Sequence, residues 1–369
     1  MEKNVFIPIF GNRPNPFVGR DEIFDDFMEG LAHTEGHPHR ATIISGQRGT
    51  GKTAILLEIA FRAEKAGYVA ACVTADEKML DDILQILAEK NNKLLNKAKK
   101  IKSVNAGAFG FSLGFTLSDE RWQNLGFRMK LTILAEELEK NKKGALILID
   151  EVVANSPQMR EVATTYQHLV GEGKNIAIVI AGLPGAISNV IHDDILTFLN
   201  RAHKVELAPL SLDDISVYYS EQFSGLGKTI DAETLDCIVR ATLGYPYLMQ
   251  LIGYYIVQYA KNSDTIEESI ATSAIKSAKR NFIDSVHIAC LKPLSDRDRA
   301  FLEAMSKDKS SSRIADIQAR LKVSAAYVQQ YRSRLIAAGV ILSAQRGYIE
   351  FAVPYLGEYL RGEIGYGRN

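Results

Sequence analysis

Short apolar, β-branched runs alternate with helix-spaced stretches through the first 210 residues, a pattern that predicts a parallel sheet carrying helices on its faces. The strand runs are Ala41 to Ile44, Tyr68 to Val73, Gly144 to Ile149 and Asn175 to Ala181, with a last strand after Arg201. Apolar spacing predicts helices from Asp21, as cap, to about Leu31, from Thr53 to Phe61, from Glu77 to about Lys100 and from Asp119 to about Lys140. Residues 211 to 290 contain several helix patterns without a long β run, as a small helical domain would. From Leu291 the pattern changes again. Ser295 to about Met305, Arg313 to Leu321 and Ser324 to Gly339 are three short helices, and Val340 to Ala344 and Tyr348 to Val353 are strands around Gln345-Arg346-Gly347. That order is the winged helix-turn-helix plan. The expected units are 1–40, 41–210, 211–290 and 291–369.

Chemistry enters between the first strand and its helix. Gly46-Gln47-Arg48-Gly49-Thr50-Gly51-Lys52-Thr53 satisfies the P-loop (Walker A) pattern in full. Its glycines let backbone N–H groups turn inward around phosphates, and the helix that follows adds its positive dipole end. Lys52 would reach the β/γ oxygens of ATP and the Thr53 hydroxyl would be a ligand of Mg²⁺. The strand Gly144 to Ile149 ends in Asp150-Glu151, a Walker B arrangement at the carboxyl edge of the sheet, where open α/β sheets bind ligands. Asp150 would hold Mg²⁺ and Glu151 would orient and deprotonate the attacking water.

Composition narrows the setting. Lys+Arg and Asp+Glu both number 44 in 369 residues, so global charge names no partner. Residues 291–369 carry 13 Lys+Arg against 8 Asp+Glu, which favours contact with double-stranded DNA there. In the third helix of that region Tyr327, Gln330 and Arg334 share a face that would enter a major groove, while Lys322, Arg332 and Arg346 would meet phosphates. Cys72, Cys237 and Cys290 form no C-x-x-C pair, which fits a reducing cytoplasm, and neither a leader nor a membrane span is expected. His33, His37 and His39 lie in a Gly/Thr/Pro-rich linker without a neighbouring carboxylate or cysteine and read as a solvated loop. The lysines at 90, 93, 97, 99, 100 and 102 read as a solvated helix face or a DNA-facing patch. The Phe/Gly-rich stretch 104–115 reads as an exposed hairpin-like insertion whose Phe side chains pack under a neighbour or contact a partner.

Phe17-Val18-Gly19-Arg20, ahead of a full P-loop, resembles the segment that covers the adenine in AAA+ ATPases of the Orc/Cdc6 kind and in the related STAND NTPases. Gly244-Tyr245-Pro246 resembles their lid motif, in which the proline packs near base and ribose. Arg201, just before the last strand and the Pro209-Leu210-Ser211 exit, resembles the AAA+ arginine finger that acts on a neighbouring subunit, which implies a homo-oligomer. Two departures stand out. Ala181 and Gly182 occupy the strand end where many AAA+ proteins carry a polar γ-phosphate sensor, which implies slow hydrolysis, and no lid arginine occurs between Gly244 and Tyr259. The order of units over about residues 15 to 365, ending at Asn369, resembles Orc/Cdc6-like AAA+ ATPases, with an NTP-driven DNA-binding switch as the implied function. A STAND-type signalling NTPase, in which the winged helix docks protein, is the alternative.

Overall fold

The structure, a computed structural model, describes residues 4–9, 11, 16–33, 37–101, 120–153 and 155–364, with backbone only at 93–101, 120 and 121. The insertion expected at 104–115 and the side chains of Lys93, Lys97, Lys99, Lys100 and Lys102 lie outside these residues.

The apolar runs form one five-stranded parallel sheet: β1 (Ala41–Gly46), β2 (Tyr68–Thr74), β3 (Gly144–Asp150), β4 (Ile176–Gly182) and β5 (His203–Leu207), in the order β2-β3-β4-β1-β5. Leu146 to Ile149 and Ala177 to Ala181 have essentially no exposure, because both sheet faces are covered. One face packs on Met79, Leu87, Leu131 and Val162, the other on Phe24, Phe27, Ile55 and Ile59. β1 lies between β4 and β5, and its carboxyl end opens on the crevice where their chains diverge.

Two local expectations need correction. The helix from Asp119 to Lys140 is broken: Glu120–Gln123 and Phe127–Lys140 are separate, because Gly126 adopts an extended conformation (φ −69°, ψ 162°) as the N-cap of the second. Asp21 does not cap the first helix, Asp21–Ala32. Arg20 occupies that position with no side-chain cap, and Asp21 and Glu22 instead place carboxylates in the first turn beside the dipole's positive end.

The lid comprises helices Leu212–Gly225, Ala232–Ala241, Pro246–Tyr259 and Glu268–Phe282, with short paired strands Thr229–Ile230 and Thr265–Ile266. The amino-terminal segment threads into it. Phe6 is 1% exposed and meets the rings of Tyr218, Tyr219 and Phe223, while Ile7 N–H donates to Gln250 Oε1 over 3.0 Å. Gly253 makes room for it, since a Cβ there would stand 2.3 Å from the Phe6 ring.

C-terminal to the lid come helices Asp296–Ser306, Ile314–Leu321 and Ala325–Ala337, then strands Ile341–Gln345 and Tyr348–Phe351. Ser295 and Asp298 form a capping box, which is why the first helix starts where it does. Ser312–Arg313 adds a third antiparallel strand beside Tyr348–Phe351. Lid and C-terminal elements share one apolar cluster, from Phe6 and Phe223 through Phe282 to Phe301 and Leu335.

His287, in the π-helical turn Ile283–His287, is fully buried with Nε2 2.6 Å from the Pro354 carbonyl, and burial pushes its imidazole down to about 4. The fold holds the ring neutral while the unfolded chain protonates it near pH 6.5, so stability is present above that pH and is lost as pH falls toward 4. The loss is expected to reach about 3 kcal/mol, read as a lower urea midpoint at pH 4.5 than at pH 7 that His287→Gln largely removes.

Candidate functional site

β1 ends at Gly46, and the loop that follows turns back on itself to start helix Lys52–Lys65. Gly49 (φ 82°) and Gly51 (φ 91°) hold left-handed conformations that favour glycine. A Cβ on Gly46 would stand 2.6 Å from Thr50 Oγ1, which itself donates to the Gln47 carbonyl over 2.8 Å. The loop is therefore built for a backbone cradle. Lys52 Nζ lies in it, donating to the carbonyls of Gly46 (2.8 Å) and Gln47 (2.9 Å). Burial pushes the Lys52 ammonium down to about 8, opposed by the Asp150 and Glu151 carboxylates and assisted by Arg48. A half-buried cation with two weak acceptors is a receptor for a stronger anion.

β3 brings its acids to the same place. Thr53 Oγ1 donates to Asp150 Oδ2 over 2.5 Å, and the other Asp150 oxygen accepts the Glu151 N–H at 2.8 Å. Glu151 is exposed and takes a positive φ of 52°, which turns the chain sharply at the sheet edge. The hydroxyl and carboxylate of Thr53 and Asp150 are hard oxygen donors, the set that suits Mg²⁺.

A cleft of about 440 Å³ opens over these groups, lined among others by Arg48, Lys52, Asp150, Glu151, Tyr247 and Gln250. Gly182 and Leu183 line it too, so the β4 end offers no polar side chain, as its sequence implies. Beside it an almost wholly apolar pocket is formed by Phe17, Val18, Arg20, Thr50, Pro246 and Met249. Gly19 (φ 60°) permits the turn between Val18 and Arg20, and Arg20 Nη2 anchors it on the Ala208 carbonyl at 2.6 Å. Residues of the Phe17–Arg20 stretch and of helix Pro246–Tyr259, far apart in sequence, thus meet in one narrow apolar slot next to the glycine loop.

Arg201 stands elsewhere. It closes the exposed 3-10 turn Thr197–Arg201, and the register pairs the start of β5 (His203) with the start of β1 (Thr42). The cradle is four residues further along β1, about 13 Å away, so Arg201 lies at the opposite edge of the sheet from the chain's own cleft.

Among the six C-terminal positions picked out in the sequence, Lys322, Gln330, Arg334 and Arg346 are exposed. Tyr327 is half-buried, its ring 4.2 Å from that of Tyr331. Arg332 donates to Ser343 Oγ (2.7 Å), and Arg334 pairs with Asp298, a carboxylate only 1% exposed (2.9 Å). The end of the third helix meets the nucleotide loop. A Cβ on Gly339 would lie 3.0 Å from Gln47 Oε1, and one on Gly185, in helix Pro184–Ile191, would lie 2.5 Å from the Ala337 Cα.

Sequence reading missed Ile7, Pro8 and Ile9, which line the cleft from the threaded amino-terminal segment. The apolar run Val5 to Ile9 is the signal that a terminal segment packs somewhere. The histidine linker also needs correction: His39 is not simply solvated, because Asp26 and His203 come beside it in space.

A family model for a domain of unknown function, DUF8462, matches residues 284–360. No curated protein matches the chain. Among solved structures the chain resembles the Walker-type ATPase Paby2304 of Pyrococcus abyssi (17% identity, 97% of this chain and 99% of that one, TM-score 0.71). It also resembles the Aeropyrum pernix ORC2 protein, determined in ADPNP–ADP complexes (14% identity, 97% and 95%, TM-score 0.67). A third likeness is to Cdc6p from Pyrobaculum aerophilum (14% identity, 99% of each chain, TM-score 0.53). Over almost its whole length the chain therefore has an Orc/Cdc6-like P-loop ATPase fold.

Proposed function

We propose that this chain is an ATP-binding and slowly hydrolysing switch that controls DNA binding through its C-terminal winged helix. The observation that carries the reading is the contact of Gly339 and Ala337 with Gln47 and Gly185, which sets the end of the DNA-facing helix directly on the nucleotide loop. Adenine would lie in the slot of Val18, Gly19, Arg20 and Pro246, and the phosphates in the cradle of Gly46 to Thr53. Thr53 and Asp150 would hold Mg²⁺, which when bound neutralises phosphate charge. Lys52 would leave its two carbonyls for the β/γ oxygens, and Glu151 would take the proton of the attacking water. Arg201, at the opposite edge of the sheet from its own cleft, would serve the site of a neighbouring copy. Lys322, Gln330 and Arg346 are free to meet a duplex, whereas Arg332 and Arg334 would have to exchange intramolecular partners for DNA.

Duplex-DNA affinity with ATP, with ADP and without nucleotide tests this. It is expected to differ by about 10-fold or more between states, the coupling of an ordinary allosteric pair. Gly185→Val, which removes the docking contact without touching the cleft, should make the three affinities converge. Equal affinity in all three states of the wild type would overturn the switch. A second reading, a signalling NTPase whose winged helix docks intramolecularly, is favoured by the close approach of Ala337 to Gly185. Under it Gly185→Val accelerates ADP release while DNA retention is unchanged.

A further inference from the structure

Three side chains with no part in the nucleotide cleft meet at the opposite, amino edge of the sheet. Asp26 comes from helix Asp21–Ala32, His39 from the 3-10 turn Pro38–Arg40, and His203 is the first residue of β5. One donor atom from each lies within 4.8 Å of the other two. His203 Nε2 stands 3.9 Å from Asp26 Oδ2, and the rings of His39 and His203 have centroids 4.3 Å apart. His39 Nδ1 is 2.8 Å from the main-chain carbonyl of Asp26. A carbonyl accepts only, so that contact places the proton on Nδ1 and leaves Nε2 as a lone-pair donor. Metal-ligating histidines are oriented in this way.

We propose that Asp26, His39 and His203 form a binding site for a divalent transition metal of the Zn²⁺ class, with two imidazoles and one carboxylate as ligands and the fourth position open to solvent. A hydrogen-bonded Asp–His pair is the competing account, and 3.9 Å is too long for one. Tetrahedral Zn²⁺ with bonds of about 2.0–2.2 Å separates its ligand atoms by about 3.3 Å, so the His203–Asp26 gap closes by roughly 0.6 Å, within the reach of side-chain torsions. Burial, then the neighbouring His39, hold the His203 imidazole below its usual range, against the pull of Asp26, and a neutral ring is the form that ligates. Side-chain exposures of 29% for His203 and 36% for Asp26 leave a path for the ion. The nitrogen and oxygen donors suit Zn²⁺, Co²⁺ or Ni²⁺ better than Mg²⁺.

Such an ion would fasten the adenine-box helix, the entry to β1 and the start of β5. His203 is two residues beyond Arg201, so the metal would also fix the turn that carries that arginine.

Co²⁺ titration of the full-length, metal-stripped protein without nucleotide or Mg²⁺ tests the site. One equivalent should develop the strong visible d–d bands of tetrahedral Co²⁺, and Zn²⁺ should bleach them. His203→Gln and Asp26→Asn, checked as folded by circular dichroism, are each expected to weaken binding by about 100-fold or more, beyond the loss typical of a supporting residue. Zn²⁺ should raise the melting temperature of the wild type and of His37→Gln but not of His203→Gln. Absence of bands at stoichiometric Co²⁺, bands that survive both ligand substitutions, or bands lost in Asp150→Asn, which would assign the ion to the nucleotide cleft, each overturn the proposal.

Discussion

Glu151→Gln is expected to retain ATP and lose turnover by about 10²- to 10⁴-fold, the contribution of a positioned general base. The substitution is close to isosteric, and Glu151 is anchored through its main-chain N–H, which donates to Asp150 Oδ1, and not through its carboxylate. The turn at φ 52° is a property of the backbone that glutamine tolerates as well as glutamate does. Single-turnover release of phosphate, with nucleotide affinity measured in parallel, separates the two effects. Turnover retained within 10-fold would remove Glu151 from the water-activating role and would leave Asp150 as the acid that matters.

Lys52→Ala is expected to weaken ATP by about 100-fold or more, because two or more hydrogen bonds to a charged group, at about 1.5–3 kcal/mol each, are lost. In the free protein those bonds go to the carbonyls of Gly46, the last residue of β1, and of Gln47. Titration with a fluorescent ATP analogue reads the loss, and an unchanged melting temperature without nucleotide separates it from misfolding. The pH dependence has a definite sign. With Lys52 pushed down to about 8, the protonated form that phosphate prefers predominates at neutral pH, so wild-type affinity should fall as pH rises through 8, and this fall should vanish in Lys52→Ala. Affinity unchanged by the substitution would place the phosphates elsewhere.

The parts of this fold visible in sequence are those whose physics is local. A buried parallel strand must be apolar along its whole length, so Gly144 to Ile149 and Ile176 to Ala181 declare themselves, as does a phosphate loop that needs glycine at fixed offsets. The helix start at Ser295, set by its capping box, is likewise a short-range matter. Less legible was whatever depends on two distant segments meeting. Nothing beside Phe6 announces Gly253 or Tyr219, and no spacing links His39 with His203, because their proximity follows from β5 lying next to β1. The helical period places Arg334 on an outer face and is blind to the buried Asp298 that holds it from another helix. Gly126 broke a helix whose apolar spacing continues across it, since a period records which face is buried and not whether the backbone is continuous.

The apolar cluster that runs from Phe6 through the lid into Leu335 has a mechanical consequence. Lid and C-terminal helices share an interior and cannot slide past one another without exposing it, and they meet the loops around the cleft at Gly49, Gly51, Gly185 and Gly339. Lid and C-terminal elements thus form one continuously packed body beside the sheet. A displacement where Pro246 borders the cleft would therefore be carried through that shared interior to the strands on either side of Arg346.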